Sequence, residues 1–187
     1  MSTVALKHNK KLSVKAQTIA TVIAVVSAVV LPQIFHILGA VSGLGTSLGE
    51  TFLPMHLPII LVGLLTGSYA GAIAGIVSPL ISCWLTGMPT SAMLPFMIIE
   101  LCVYGLTAGL MRNTKIPVFF KVVITQFAGR AVRAAAILVA VYGFASTAVP
   151  VAIIWKSVAV GIFGIVMQWA LLPLIVYRVE NAKRNEQ

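Results

Sequence analysis

Between Ala16 and Met111 the sequence contains only two formally charged side chains, Glu50 and Glu100. A water-exposed domain surface needs many more, since about 25% of the residues in an average soluble domain are charged. Over all 187 residues, 9% are charged, 59% are hydrophobic, and the mean hydropathy is +1.04. These values exclude a soluble globular domain and a disordered chain, and we predict an all-α integral membrane protein.

The positive charges lie mainly at the ends of this apolar region. Thirteen Lys and Arg face four acidic residues, which gives a net charge of +9 and a pI near 10.0. Such a balance raises the question of nucleic acid. However, the basic residues gather before residue 16 and after residue 111, as expected for anchors at a membrane surface. We therefore expect the lipid bilayer, and not nucleic acid, as the partner of these charges.

Six apolar segments approach the length of about 20 residues that is needed to cross a hydrocarbon core about 30 Å thick. The second segment is short and contains Pro54 and Pro58, so we expect broken backbone there. We treat residues 1–187 as a single membrane domain, with a basic N-terminus at 1–15, a six-helix bundle at 16–178 and a cytoplasmic tail at 179–187. The six segments are 16–38, 53–67, 69–87, 91–111, 117–145 and 149–178.

The basic residues also predict the orientation of the chain. They form clusters before the first segment, around the fourth connection and after the sixth segment, all on one side of a six-span protein. The outer loops 39–52, 87–91 and 145–149 contain no Lys or Arg. By the positive-inside rule, both termini are cytoplasmic. The clusters are Lys7, Lys10, Lys11 and Lys15; Arg112, Lys115 and Lys121; and Arg178, Lys183 and Arg184.

Small residues recur at every fourth position in two stripes. A stripe of this kind lies on one helix face and lets a second helix approach closely. For the glycine stripe, packing within the protein is the favoured interpretation. The alanine stripe starts at the predicted cytoplasmic surface, where a partner protein can reach it. The stripes are Ala16, Ala20, Ala24 and Ala28, and Gly63, Gly67, Gly71 and Gly75; Gly105 and Gly109 form a shorter pair.

No motif in the sequence supports catalysis by this chain. GTSLG at 45–49 matches the G-x-S-x-G pattern of serine hydrolases, but that pattern requires a strand-to-helix turn with His and acid partners. The phosphate-binding sequence G-x-x-x-x-G-K-[ST] is absent, and no His, Cys or acidic cluster suits a metal. Cys83 and Cys102 lie in apolar segments and are predicted to be free thiols. We expect no catalytic residues, no metal and no cofactor on this chain.

Ionisable side chains inside the spans are costly in hydrocarbon and therefore mark candidate functional positions. Glu100 lies near the middle of the fourth segment, Arg130 and Arg133 lie in the fifth, and Lys156 lies in the sixth. A Glu100–Arg130 ion pair that locks helices together is one interpretation. It leaves Arg133 and Lys156 without an acid inside the membrane, and Glu50 of the outer loop is a candidate partner for one of them. The remaining positive charge suggests an outward-opening cavity for a polar or anionic solute.

Aromatic side chains are candidates to complete this cavity, because their rings can stack on a flat ligand. We include His56, Trp84 and Tyr104 among the predicted substrate-binding residues, and Tyr142 and Trp155 lie at similar depths. Anchoring at the membrane interface is an equally good interpretation of the tryptophans.

Several stretches together resemble the substrate-binding S-components of energy-coupling-factor (ECF) vitamin transporters. They are FLPMHLPIILVGLLTG, GAIAG, SPLISCWLTGMP, LPFMIIELCVYGLTAGL and AGRAV, within a region of about 16–175. The resemblance implies a six-helix fold with an outward binding site in the bacterial plasma membrane. It also implies a transmembrane coupling subunit and two ATPase subunits as partners, which supply the ATP and Mg chemistry. The alanine stripe resembles the family's docking motif, so Ala16, Ala20 and Ala24 are the predicted partner contacts, and loop 39–52 is a predicted lid.

The resemblance ranks cobalamin first as the substrate, through PMHLP, LTGMP and IELCVYG. Pantothenate is second, because the excess of basic groups favours a small carboxylate, and folate is third. Two alternatives belong to other classes. A stand-alone secondary transporter usually has a repeated half, which we do not find, and a purely structural subunit would not need Arg130, Arg133 and Lys156 inside the membrane.

Overall fold

A computed structural model describes residues 13–45 and 47–185, and this part of the chain is helical with short connections. Six of its segments are long and apolar enough to cross a membrane, as predicted. Lys7, Lys10 and Lys11, and Thr46 of GTSLG, lie outside the described residues. The helices are α1 (Val14–Val41), α2 (Ser47–Phe52), α3 (His56–Thr66), α4 (Ser68–Thr86), α5 (Leu94–Met111), α6 (Val118–Leu138, continued by a π-helical turn over Val139–Gly143) and α7 (Ile153–Asn185).

The second span is broken, as the prolines predict. Helices α2 and α3 together form the span Ser47–Thr66, with Leu53 between them at a positive φ of 50°. The carbonyl of Leu53 accepts a hydrogen bond from Gln168 Nε2 at 3.2 Å, so α7 supports the break. The predicted loop 39–52 is therefore partly helical. Ser47 begins a helix after a loop and not after a strand, which removes the basis for the hydrolase pattern.

Helix α3 lies at the centre of the bundle. It contacts α1, α4, α5 and α7, and most of its residues are buried, among them Ile59 and Ile60 with no exposed surface. A helix that is apolar on all sides lies in a protein core or in a membrane span, and α3 meets both conditions.

The glycine stripe packs helices within the protein. A Cβ atom added to Gly105 would collide with the backbone of Gly71, and one added to Gly75 would collide with the backbone of Leu101. Helices α4 and α5 therefore touch through their backbones, which is the close approach that small residues permit. Gly67 does not belong to this face, because it forms the turn between α3 and α4 with a φ of +121°.

The basic end of the bundle is held by hydrogen bonds to helix termini. Arg112 Nη1 donates to the carbonyl of Thr66 at 3.1 Å, and Lys121 Nζ donates to the carbonyl of Arg112 at 3.0 Å. Burial lowers the pKa of the Arg112 guanidinium, and the nearby carboxylate of Glu180 opposes this shift. Glu180 belongs to α7, which runs to Asn185, so residues 179–185 of the predicted tail at 179–187 continue the last helix.

Candidate functional site

A cavity of about 320 Å³ opens at the end of the bundle opposite Arg112 and Lys121. Residues near the C-termini of α1, α4 and α6 and near the N-termini of α3, α5 and α7 enclose it, together with α2. The structure brings five of the predicted site residues to its wall: Glu50, His56, Glu100, Arg133 and Lys156.

Glu100 is the most enclosed acid in the described part of the chain, with no exposed surface. Its Oε2 accepts a hydrogen bond from Arg133 Nη1 at 2.9 Å. Its Oε1 accepts one from the Tyr104 hydroxyl at 2.8 Å and lies 3.9 Å from His56 Nε2. A buried carboxylate is tolerable only when it is paired and hydrogen-bonded, and these contacts meet that requirement.

The predicted Glu100–Arg130 ion pair is wrong, because Arg133 is the partner. Arg130 and Arg133 are three residues apart on α6, and the rotation of this helix decides which one faces Glu100. A Cβ on Gly129 would overlap the ring of Tyr104, so α6 packs closely on α5 at that point. This contact directs Arg133 toward the carboxylate and places Arg130 in a second cleft, between α6 and α7.

Arg133 retains binding capacity after pairing with Glu100. A guanidinium carries five N–H donors, and only one hydrogen bond from Arg133 is found among the described residues. Its buried Nε has no partner, and its side chain is 11% exposed at the cavity wall. An arginine with unused donors in a low-dielectric site favours a planar oxyanion such as a carboxylate.

Most of the remaining wall is apolar and rich in methionine. Met55, Met88, Met93 and Met97 come from three different parts of the chain. Methionine is unbranched and polarisable, so it adapts to ligands of different shape. Ser82 holds one edge by donating from its Oγ to the carbonyl of Met88 at 2.7 Å. Sequence reasoning missed these residues, although LTGMP and PMHLP contain two of the methionines.

Helix α2 closes the cavity from the side of the predicted lid. Gly49 lies against His36, and a Cβ at Gly49 would be 3.0 Å from the imidazole Cε1. Glu50 follows at the cavity wall. The absence of a side chain at Gly49 is what lets α2 lie this close to α1. A lid function for loop 39–52 remains a prediction.

Three predicted cavity residues lie elsewhere. Trp84 is 84% exposed on the outside of α4 and does not line the cavity, so its contact with a substrate stays a prediction. Tyr104 is fully buried behind Glu100 and positions that carboxylate. Arg130 lines the second cleft. Tyr142 and Trp155 are also largely exposed.

The alanines of the stripe on α1 differ in how deeply they are buried. Ala24 and Ala28 are buried in the core, and Ala20 packs against that core. In this structure α1 uses the position of Ala24 to pack on its own bundle, and the contact of Ala24 with a partner protein stays a prediction. Ala16 is half-exposed, and the contacts of Ala16 and Ala20 with a partner remain predictions.

A buried network of side-chain hydrogen bonds connects the cavity wall to the interior of the bundle. Gln126 Nε2 donates to Gln168 Oε1 at 2.8 Å, and Trp169 Nε1 donates to Gln126 Oε1 at 2.6 Å. Gln168 then donates to Leu53, which lines the cavity. Gln126 and Gln168 are polar residues in apolar helices, and this pattern in the sequence could have predicted the network. No cluster of three metal-ligating side chains occurs within residues 13–45 and 47–185.

Comparison with known proteins gives one family. The family model described as "ECF transporter, substrate-specific component" matches residues 10–176. Comparisons with curated proteins and with solved structures give no significant match.

Proposed function

The chain belongs to the family of ECF-transporter substrate-specific components, and from this premise we propose that it captures a small organic anion in the cavity at Arg133 and passes it to an energy-coupling module. Members of this family are transport subunits and not enzymes. The protein is a multi-pass protein of the bacterial plasma membrane.

The cavity faces outward in this proposal. Arg112, Lys115 and Lys121 lie at the opposite end of the bundle, and the positive-inside rule assigns that end to the cytoplasm. A substrate can then enter from outside between α2 and the N-termini of α5 and α7. Glu50 and Lys156 lie at the cavity wall on this side and make the entrance polar, whereas the interior is mainly apolar.

The observation that carries the proposal is the partly satisfied guanidinium of Arg133 at the cavity wall. Glu100 neutralises its charge within a buried pair, which permits a cation at this depth. The unused N–H groups can bind a substrate carboxylate, and Lys156 adds a second cation on α7. The methionine wall accommodates the apolar part of the molecule.

The size of the cavity bears on which vitamin is bound. Small-molecule sites have volumes of about 300–1,000 Å³, and about 320 Å³ is near the lower limit. The corrinoid ring system of cobalamin is much larger than such a space, whereas pantothenate is a small carboxylate. We therefore place pantothenate first, folate second and cobalamin third, whereas the ranking by resemblance has cobalamin first.

The energy for transport comes from other subunits in this proposal. A transmembrane coupling subunit would dock on the cytoplasmic half of α1 at Ala16 and Ala20, and two ATPase subunits would bind ATP and Mg. Ala20→Trp should reduce recovery of the complex and leave substrate affinity nearly unchanged. Co-purification from the native membrane measures the first effect, and assembly equal to that of the unaltered chain would contradict the assignment.

Direct binding tests the substrate. The purified chain is titrated with labelled pantothenate, cobalamin and folate. Arg133→Lys, which keeps the charge but loses the planar fork, should lower affinity about tenfold, since a hydrogen bond to a charged group is worth about 1.5–3 kcal/mol. Lys115→Gln, an exposed position at the opposite end, is the control. Binding of an uncharged vitamin alone, unaffected by Arg133→Lys, would reject the proposal.

A further inference from the structure

Arg130 is a cation inside a span that the substrate cavity does not use. No carboxylate of the described residues forms an ion pair with it, since Glu100 pairs with Arg133 and lies near His56. Its Nε is buried without a hydrogen-bond partner, and its Nη1 makes only a long contact of 3.5 Å with the carbonyl of Ser157. The one buried carboxylate therefore pairs with only one of the two guanidinium groups, and the excess positive charge lies at Arg130.

The surroundings of Arg130 form a cleft of about 410 Å³ between α6 and α7. Phe127 on α6 and Trp155 on α7 line it, and each is 77% exposed on the outer surface of the bundle. Its lining is almost wholly apolar apart from Arg130, Arg133 and Ser157. This cleft opens sideways, where the bilayer lies, and its residues differ from those at the cavity mouth except for Arg133 and Ser157.

The depth of the cleft fits the border between lipid head groups and acyl chains. Helix α7 begins at Ile153 on the outer side, so Ser157 lies about 6 Å below that end at about 1.5 Å per residue. Trp155 lies between them, and exposed tryptophans prefer the membrane interface. The guanidinium of Arg130 reaches the level of Ser157, while Phe127 lies one helical turn further toward the membrane centre.

We propose that the α6–α7 cleft binds an anionic phospholipid of the outer leaflet. Its phosphate accepts hydrogen bonds from Arg130, and one acyl chain lies along Phe127. The charge and the geometry favour this ligand, because a phosphate neutralises the excess cation and only a molecule with a hydrocarbon tail fills a lipid-facing apolar cleft. The cleft shares Arg133 and Ser157 with the substrate cavity, but Arg130, the proposed phosphate contact, lines only the cleft.

Lipid titration of the full purified chain tests the proposal. Dioctanoyl phosphatidylglycerol and dioctanoyl phosphatidylcholine are compared by native mass spectrometry. We expect the anionic lipid to bind about tenfold more tightly, as a charge-assisted hydrogen bond implies. Arg130→Gln should abolish this preference, and the matched charge change Lys115→Gln should preserve it. Equal binding of both lipids, or a preference that survives Arg130→Gln, would overturn the proposal.

Two further measurements separate the lipid from other ligands and replace Arg130→Gln if that variant does not fold. Glycerol 3-phosphate carries the phosphate without acyl chains. If it displaces phosphatidylglycerol when both are at the same concentration, the cleft binds free anions, and the lipid assignment is overturned. If Arg130→Gln does not fold, Phe127→Ser removes only an exposed ring. It should weaken binding of phosphatidylglycerol several-fold, and unchanged affinity would also overturn the proposal.

Discussion

The two sides of this bundle are built on opposite principles. On the side of α3, α4 and α5, glycines bring backbones into direct contact and leave no room for a methyl group. On the side of α6 and α7, polar side chains hold the helices together, and a cleft remains between them. The substrate cavity lies where the two sides meet. A rigid half can thus present Glu100 in a fixed position, while the polar half supplies Arg133 and Lys156.

The strongest test of this contrast is Gly105→Ala. Its added Cβ would meet the backbone of Gly71, which cannot move aside as a flexible side chain can. Ordinary overpacking costs about 1–3 kcal/mol, and we expect a larger loss here, seen as little folded protein in size-exclusion chromatography. The control is Gly143→Ala, since its Cβ would meet only Val139 Cγ1 at 3.7 Å. Equal recovery of both variants would refute the rigid interface.

The buried ion pair should respond almost as strongly. Glu100→Gln or Arg133→Gln alone leaves an unpaired charge in the bundle, which costs about 3–5 kcal/mol in comparable sites. The double variant removes both charges and should recover part of the lost stability. Thermal unfolding of the four proteins gives the coupling free energy. Additive losses would mean that the two groups do not interact.

The network of side-chain hydrogen bonds on the polar side should contribute less. Gln168→Leu removes the donor to the Leu53 carbonyl and the acceptor for Gln126 Nε2, and an unsatisfied buried polar group costs about 1–3 kcal/mol. The matched control is Gln33→Leu, because the Gln33 Nε2 is buried without a hydrogen-bond partner. We expect that control to be neutral or stabilising in thermal unfolding. A smaller loss for Gln168→Leu than for Gln33→Leu would show that the network does not support the break at Leu53.

Sequence reasoning was most successful where a one-dimensional pattern decides the structure. Hydropathy gave the six spans, and Pro54 and Pro58 gave the break in the second. The glycine spacing gave the interface on α5. Each of these features depends on residues close together in the chain.

The errors concern helix rotation, which local patterns leave open. Arg130 and Arg133 are equivalent by hydropathy, and the contact of Gly129 with Tyr104 selects between them. The alanine stripe likewise identifies a face of α1, and only the structure shows that Ala24 packs against the bundle. Only the structure shows that Trp84 is exposed on α4 and does not line the cavity. Such choices require the packing of helices that are distant in sequence.

We expect the smallest change in substrate affinity from substitution of Trp84. It is 84% exposed on α4 and lies outside the cavity, so Trp84→Leu removes only a contact with the surrounding membrane. Exposed substitutions change free energies by about 0.5 kcal/mol or less, which corresponds to about twofold in affinity. Titration of the same substrate that reports on Arg133 measures this variant. A tenfold loss would mean that the outer surface of α4 takes part in binding, and the rigid side would then do more than fix Glu100 in place.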